Sequence, residues 1–376
     1  MTGRQPTGTW AVIAGGGTGG HVVPAIAIGQ ALTGRGHPAG TIRFVGSERG
    51  LEARMVPAAG FEVVLLPGRG IARRLTKDNI GAAVGLLRAF GRALVLMRRL
   101  RPAVTVAVGG YASAAAALAA VVWRVPLVVA EQNAVPGLAN RLAGRFARAS
   151  AVSFEGTPLP RAVVTGNPVR PEIVMADTSP AGRAAARAAL GLPAGAVVVA
   201  VAGGSLGARR INAAVVELAR RWAGRGGICI RHVVGRRDYP DIARQRPAPV
   251  EGGLDYVQIE FEDRMDLLLT AADVAVQRAG ASTVAELAVI GLPSILVPLP
   301  GAPGDHQTQN ARRLADAGAA VLVPDAELDA DRLEAELDRL VEDPADRQRM
   351  ADAARLLGRP DAAERVATLV EQHARH

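Results

Sequence analysis

WAVIAGGGTGGH (residues 10–21) and VVVAVAGGSLGA (residues 197–208) share one form: an apolar run, a glycine-rich turn, then the start of a helix. Neither apolar run alternates with polar residues, as a strand buried on both faces of a parallel sheet should not. Working outward, TIRFVG, EVVLLP, AVTVAVGG, PLVVAE, RASAVSF and RAVVTG follow the first stretch. ICIRHVVG, DYVQIEF, DVAVQRAG, SILVPLP and AAVLVP follow the second. Helix-length stretches lie between them, notably 20–34, 79–99 and 112–123. Strands alternating with helices predict an α/β fold with parallel sheets and helices on both faces. The duplicated opening predicts two doubly wound domains, 1–168 and 169–358, joined near GNPVRPE (166–172). From about residue 328 the chain reads as helix alone. A last helix in 359–376 is placed to return to the first domain.

The 376 residues are 49% apolar and 21% charged, ordinary globular composition for two to three domains of roughly 150 residues. A single cysteine, Cys229, excludes a disulfide framework and a multi-cysteine zinc site. Its surroundings, GICIRHVV, read as a strand that buries a small hydrophobe. MTGRQPTGT lacks the apolar core of a secretory signal, and no run reaches the roughly 18 apolar residues of a membrane span. A soluble protein of a reducing, intracellular compartment is expected, at most resting on a membrane surface. Residues 1–170 hold 20 Lys+Arg against 6 Asp+Glu, whereas the rest is net acidic within an overall charge of +9. The basic half should meet something anionic: a phosphate-rich ligand, a membrane or nucleic acid. Aromatics at 3% and the lack of a nucleic-acid motif argue against the last.

Four loops at strand ends carry the candidate chemistry. Gly15-Gly16-Gly17-Thr18-Gly19-Gly20-His21 lets a ligand approach the backbone closely, and the helix N-terminus behind it offers N–H groups of partial positive charge. Gly15, Gly17 and Gly20 also satisfy the dinucleotide fingerprint, which asks for an acid ending the next strand; Gly46-Ser47 stand there, with Glu48 just after. His21 falls in the first helical turn, where the dipole disfavours the imidazolium. A neutral histidine there suits a general base, and equally one merely satisfied by the loop backbone. Gly203-Gly204-Ser205-Leu206-Gly207 fits both a phosphate cradle and a hydrolase nucleophile elbow, with Asp305-His306 downstream in triad order. In Arg278–Glu286, Ser282 or Thr283 is expected as N-cap, and Glu286 reads either as a capping-box partner or as a ribose ligand. Gly304-Asp305-His306-Gln307-Thr308-Gln309-Asn310 brings amides that suit sugar hydroxyls. Together the loops point to a phosphorylated, sugar-bearing ligand.

GGGTGGHVVPAIAIGQAL, GGYASAAAA, EQNAVPGLANRL, TGNPVR, GGSLGARRIN, RAGASTVAEL and DHQTQNA, in this order, resemble the MurG-type glycosyltransferases. The resemblance runs from about residue 9 to about residue 320, more loosely beyond. It implies a GT-B fold, two Rossmann-like domains facing across a cleft. The implied reaction moves N-acetylglucosamine from UDP-N-acetylglucosamine to a lipid-linked N-acetylmuramyl-pentapeptide, undecaprenyl-pyrophosphoryl-muramyl-pentapeptide. By position, Thr18, Gly19 and Gly20 would line the phosphate region and Asn133 would touch the sugar ring. Arg170 and Ser205 would meet the donor. Ala281, Ser282, Thr283, Val284, Ala285 and Glu286 would hold diphosphate and ribose, Gln307 the sugar hydroxyls, and Glu262 the uracil. The family often has an aliphatic residue at this last position, so the contact here would be through backbone. Ala130 stands where a histidine is common, and Ser282 where a leucine is usual.

In the implied mechanism His21 takes a proton from the acceptor's C4 hydroxyl, which attacks the anomeric carbon with inversion while UDP leaves. No cofactor is implied, and no metal: the D-x-D at Asp329-Ala330-Asp331 lies in an acidic helical run. Between Arg69 and Arg101, arginines 69, 73, 74, 88, 92, 98, 99 and 101 with Lys77 surround Ile80, Val84, Leu87, Phe90, Leu94 and Met97. Such a rim suits peripheral contact with an anionic membrane surface at its cytoplasmic face, and suits equally a core-facing helix with a solvated basic side. The competing enzyme readings are a related UDP-sugar transferase with another acceptor and an NAD(P)-dependent oxidoreductase.

Overall fold

The computed structural model describes residues 8–48, 50–67, 78–204 and 206–375, the side chains of 78–84 and Leu86 excepted. The chain divides into two compact units, one running to Arg170 and resuming at Arg359, the other Pro171–Gly358. The first unit alternates β1 (Ala11–Gly15), α1 (Gly19–Gly34), β2 (Ile42–Ser47), α2 (Glu52–Ala58), β3 (Glu62–Leu66), α3 (Asp78–Leu100), β4 (Val104–Gly109), α4 (Tyr111–Val122), β5 (Leu127–Glu131), α5 (Leu138–Gly144), β6 (Ala149–Val152) and β7 (Ala162–Val164). Its strands form one parallel sheet in the order β3-β2-β1-β4-β5-β6-β7.

The central strands are continuously apolar because both faces are covered. Ala11 and Ile13 pack with Ile28 and Leu32 of α1, while Val12 and Ala14 pack with Ala89, Ala93 and Met97 of α3 and Ala115 of α4. The alanine run of α4 keeps that layer thin, so two helices and the sheet share one seam.

The second unit holds α6 (Pro171–Val174), α7 (Pro180–Leu190), β8 (Val197–Ala202), α8 (Arg209–Arg221), β9 (Ile228–Val233), α9 (Tyr239–Ala243), β10 (Asp255–Ile259), α10 (Met265–Ala271), β11 (Val274–Gln277), α11 (Ala281–Ile290), β12 (Ser294–Leu296), α12 (His306–Ala315), β13 (Ala320–Leu322), α13 (Ala330–Glu342) and α14 (Pro344–Leu357). Six parallel strands run β10-β9-β8-β11-β12-β13. Val199 and Val201 of β8 bury against Ile211, Val215 and Leu218 of α8 and Leu333 and Leu337 of α13. Cys229 is fully buried in β9, where desolvation pushes its thiol up to about 12.

The final helix α15 (Ala362–His373) belongs to the first unit. Its Val366 and Val370 complete the core beneath α1, and Glu371 accepts from Arg35 Nε at 3.0 Å and lies 3.0 Å from His37 Nε2. His37 in turn stacks on Trp10, ring centroids 3.5 Å apart.

Both sheets reverse their winding beside the first strand of the unit, at β1/β4 and at β8/β11. Crevices open at the carboxyl ends of such switch points, which is where ligands bind in open α/β sheets. The glycine loops after β1 and β8 end there.

Candidate functional site

In the first unit, Gly17 adopts φ +93°, which a side chain would strain, and the loop enters α1 with Thr18 as N-cap. Gly16 N donates to Gly109 O at 3.3 Å, tying the loop after β1 to the one after β4. Gly110 is obligatory there: a Cβ would overlap Gly16 O. His21 sits in the first turn of α1, half-buried. Its Nδ1 lies 3.2 Å from Gly16 O and 3.4 Å from Thr18 Oγ1. A carbonyl only accepts, so Nδ1 carries the hydrogen, and in the neutral ring the lone pair then falls on Nε2. A Cβ on Gly109 would stand 2.9 Å from that Nε2.

Beneath the loop lies Glu52, only 1% exposed. Its Oε2 accepts from Gly17 N at 3.0 Å, and its Oε1 from Ser47 N and Ser47 Oγ at 2.5 and 2.9 Å. A side chain on Gly16, Gly46 or Gly50 would overlap it. The rim continues to a second buried carboxylate, Glu131, at the end of β5. Glu131 Oε1 accepts from Asn133 N and Nδ2 at 3.0 and 3.1 Å, and Oε2 from Gly137 N and Asn140 Nδ2 at 3.0 and 2.9 Å. Asn133 is thus held in a fixed pose on the same rim as His21, through Asn140 and Gly109.

In the second unit the loop after β8 turns on Gly204 and Gly207, at φ +93° and +95°, and packs against Gly235 and Asp238. Ser205 lies outside the described residues. Under this loop runs a buried polar chain: Asn212 Nδ2 donates to Val234 O and Asp238, and Asn212 Oδ1 meets His232 Nε2 at 3.0 Å. His232 Nδ1 meets Tyr256 Oη at 2.9 Å, and burial lowers the His232 pKa to about 3. Neither α8 nor α11 has a side-chain cap or an acid in its first turn, so both N-termini keep their amide dipoles for an anion.

Helix α11 starts at Ala281 with Gly280 as N-cap. The expected cap at Ser282 or Thr283 is therefore displaced: both lie inside the first turn, and the capping-box reading of Glu286 fails with it. Glu286 is 7% exposed, and the buried Ser282 Oγ has no hydrogen-bond partner. Asn310 of α12 donates to Ala279 O at 3.2 Å, and Arg278 donates to Val297 O and Pro298 O at 3.1 and 3.0 Å. These bonds join the α11 turn to the stretch after β12 and to α12, which carries Gln307; Gln307 Oε1 accepts from Leu299 N at 2.9 Å. That bond uses the oxygen end of the Gln307 amide.

Hydrogen-bond partners bear on three further readings. The Asp–His bond of a hydrolase triad is not made, since His306 Nδ1 donates to Pro303 O at 2.8 Å and Asp305 accepts from Thr308 Oγ1. Glu262 takes the guanidinium of Arg231 at 2.7 Å and Arg264 N at 3.1 Å, so its carboxylate is turned into the protein. Asp329 caps α13 through Arg332 N, and Asp331 pairs with Arg221. In α3, Met97 is 1% exposed and Phe90 and Leu94 pack on the same core, so these three do not face outward. Among the exposed apolar side chains are Leu87 and Val95 of α3, Leu118 and Val122 of α4, Leu138 and Leu142 of α5 and Phe146 just beyond it. Arg69, Arg73, Arg74 and Lys77 lie outside the described residues, as do the side chains of Ile80 and Val84. Among the described residues no helix is long and apolar enough to cross a membrane.

Sequence reasoning missed Glu52, Glu131 and the Asn212–His232–Tyr256 chain. Glu131 and Asn212 had a signal, their places in the quoted EQNAVPGLANRL and GGSLGARRIN motifs; the partners of both, and Glu52, become visible when distant strands are brought together.

The model of the glycosyltransferase family 28 N-terminal domain matches residues 11–152, and that of the family 28 C-terminal domain matches residues 198–366. The chain is 44% identical over 363 residues to the UDP-N-acetylglucosamine–N-acetylmuramyl-(pentapeptide) pyrophosphoryl-undecaprenol N-acetylglucosamine transferase of Acidothermus cellulolyticus, covering 96% of this chain and 97% of that protein. The protein of the same name from Alkalilimnicola ehrlichii is 43% identical over 366 residues, 97% of this chain and 99% of that one. The crystal structure of Acinetobacter baumannii MurG matches with a TM-score of 0.74 at 26% identity, over 97% of this chain and 99% of that one. The two parallel-sheet units are of the GT-B class, as expected from the sequence.

Proposed function

This chain belongs to glycosyltransferase family 28, and from that premise we propose that it transfers N-acetylglucosamine from UDP-N-acetylglucosamine to the C4 hydroxyl of undecaprenyl-pyrophosphoryl-muramyl-pentapeptide, inverting the anomeric carbon. The observation that carries the reading is the 44% identity to a transferase of that name, held over 97% of its length. An oxidoreductase has no comparable support, and Glu52 already takes the amide of Gly17 under the fingerprint glycines.

His21 is the base. With Nδ1 donating to Gly16 O, Nε2 takes the proton of the acceptor hydroxyl as its oxygen attacks the anomeric carbon. The bond from that carbon to the UDP oxygen breaks, and negative charge collects on the diphosphate. The N-termini of α8 and α11 meet that charge with dipoles already fixed by the fold, and Ser205 and Arg170 are assigned to the same donor. Glu286 accepts from the ribose, Gln307 and Asn133 bond the sugar, Glu262 meets the uracil through its backbone, and Thr18 to Gly20 serve the phosphate region. No cofactor or metal ligand is assigned, since the D-x-D carboxylates are committed to a cap and to Arg221.

Replacing His21 with alanine should lower kcat by about 10²- to 10⁴-fold while calorimetric UDP binding stays within about twofold. Turnover near the wild-type rate would remove His21 as base.

With a lipid-linked acceptor, the proposed location is the cytoplasmic face of the membrane, held peripherally. The exposed apolar side chains of α3, α4 and α5, with Arg88, Arg92, Arg98 and Arg99 near them, support contact with anionic lipid. Co-sedimentation with anionic vesicles should weaken as salt rises. Binding indifferent to both lipid charge and salt would contradict the contact.

A further inference from the structure

We infer that Glu52 is a positioning residue for the base: acting through the Gly16–Gly17 peptide, its carboxylate holds His21 in the tautomer whose Nε2 accepts the proton. The inference rests on the reading of His21 as base. Gly16 O and Gly17 N–H are the two ends of one peptide group. The N–H end donates to Glu52 Oε2 at 3.0 Å, and the C=O end accepts from His21 Nδ1 at 3.2 Å. A carboxylate drawing on a peptide N–H puts electron density on the carbonyl oxygen beyond it, and chained hydrogen bonds strengthen one another by about 10–30% each. When Nε2 takes the acceptor's proton, the positive charge on the ring is met at Nδ1–H by that polarised carbonyl. The Nδ1 hydrogen stays on nitrogen, and Glu52 gains none. The arrangement does through one peptide what a triad carboxylate does by direct contact.

The geometry is built rather than incidental. Glu52 is 1% exposed, and its second oxygen is pinned by the backbone and hydroxyl of Ser47. Gly16, Gly46 and Gly50 each leave the space it fills, and Gly17 at φ +93° turns the shared peptide. Glu131 is the other buried carboxylate on this rim, and its oxygens are taken by Asn133, Gly137 and Asn140.

The full-length Glu52→Gln variant keeps the shape of the side chain and removes its charge. Its kcat should fall by about tenfold to a hundredfold, as for other removed orienting partners. Its KM for UDP-N-acetylglucosamine should stay within about twofold, because Glu52 touches no donor group assigned above. In ¹⁵N spectra His21 should change from the Nδ1–H tautomer to a mixture. Placed in a His21→Ala background, Glu52→Gln should change the residual rate by less than about twofold, since residues acting as a unit are not additive. If Glu52→Gln fails to fold, Ser47→Ala loosens the same carboxylate and should lower kcat by about two- to tenfold. Wild-type kcat with an unchanged His21 spectrum would overturn the inference, as would an undiminished Glu52 effect without His21. Full turnover by His21→Ala alone would sink the base reading, while the tautomer spectrum still decides whether Glu52 orients the ring.

Discussion

Glu262 separates a residue's stabilising role from its binding one. It lies 2.7 Å from Arg231, and the two side chains are 6% and 13% exposed. Removing one partner of such a pair leaves the other charge buried alone, so Glu262→Ala should lower stability by about 3 kcal/mol in urea unfolding. Because the proposed uracil contact uses backbone, UDP affinity of the folded fraction should stay within about twofold. A stable variant that had lost UDP binding would reverse these roles. This scale is also where the sequence was least legible. His21 and Glu286 stand in motifs that announce themselves, but a motif does not name its partners. Glu52 sits 35 positions from the amide it binds, in a helix whose pattern marks nothing. Its role exists only because β1 and β2 are neighbours, which places Ser47 and Gly17 around one carboxylate.

At the level of elements the central strands were readable because parallel strands buried on both faces are apolar runs; the quoted runs mark all thirteen strands of the two sheets, β2 to within one residue. Helix ends were less so. At α11 the extended Gly280, φ −62° and ψ 148°, caps the helix two to three residues before the side chains that looked like caps. Amphipathicity along α3 showed that one face is apolar but not what covers it; the sheet takes Met97 while Leu87 stays 70% exposed. The packing of α15 on α1 carries a pH signature. The Arg35 bond, aided by His37, holds the Glu371 carboxyl below its ordinary 4.5. A carboxyl lowered in the folded state stabilises above its unfolded pKa and loses that contribution as pH falls through the folded value. Glu371→Gln should therefore cost about 0.5–1 kcal/mol at pH 7, discounted for exposure, and progressively less below pH 4.5. Thermal unfolding at several pH values checks this; a difference that grows in acid would contradict it.

Across the whole molecule, one chain builds two sheets with the same winding and ends both first loops at a switch point. That duplication was legible from two glycine-rich turns, whereas the return of α15 could be suspected only from a helix left over after the second sheet. The proposed division of labour rests on charge and loops together. The first unit is rich in arginine and offers a histidine and an exposed apolar surface, which suit a lipid-linked acceptor. The second offers two uncapped helix N-termini and a buried glutamate, which suit a nucleotide sugar. The most direct test supplies both substrates to the full-length protein: radiolabelled UDP-N-acetylglucosamine with undecaprenyl-pyrophosphoryl-muramyl-pentapeptide, followed by extraction of the lipid product. Label should appear in the lipid as one added N-acetylglucosamine, dependent on the acceptor and lost with His21→Ala. Label that stays in the aqueous phase with authentic acceptor, or that passes equally well to an unrelated hydroxyl compound, would contradict the account.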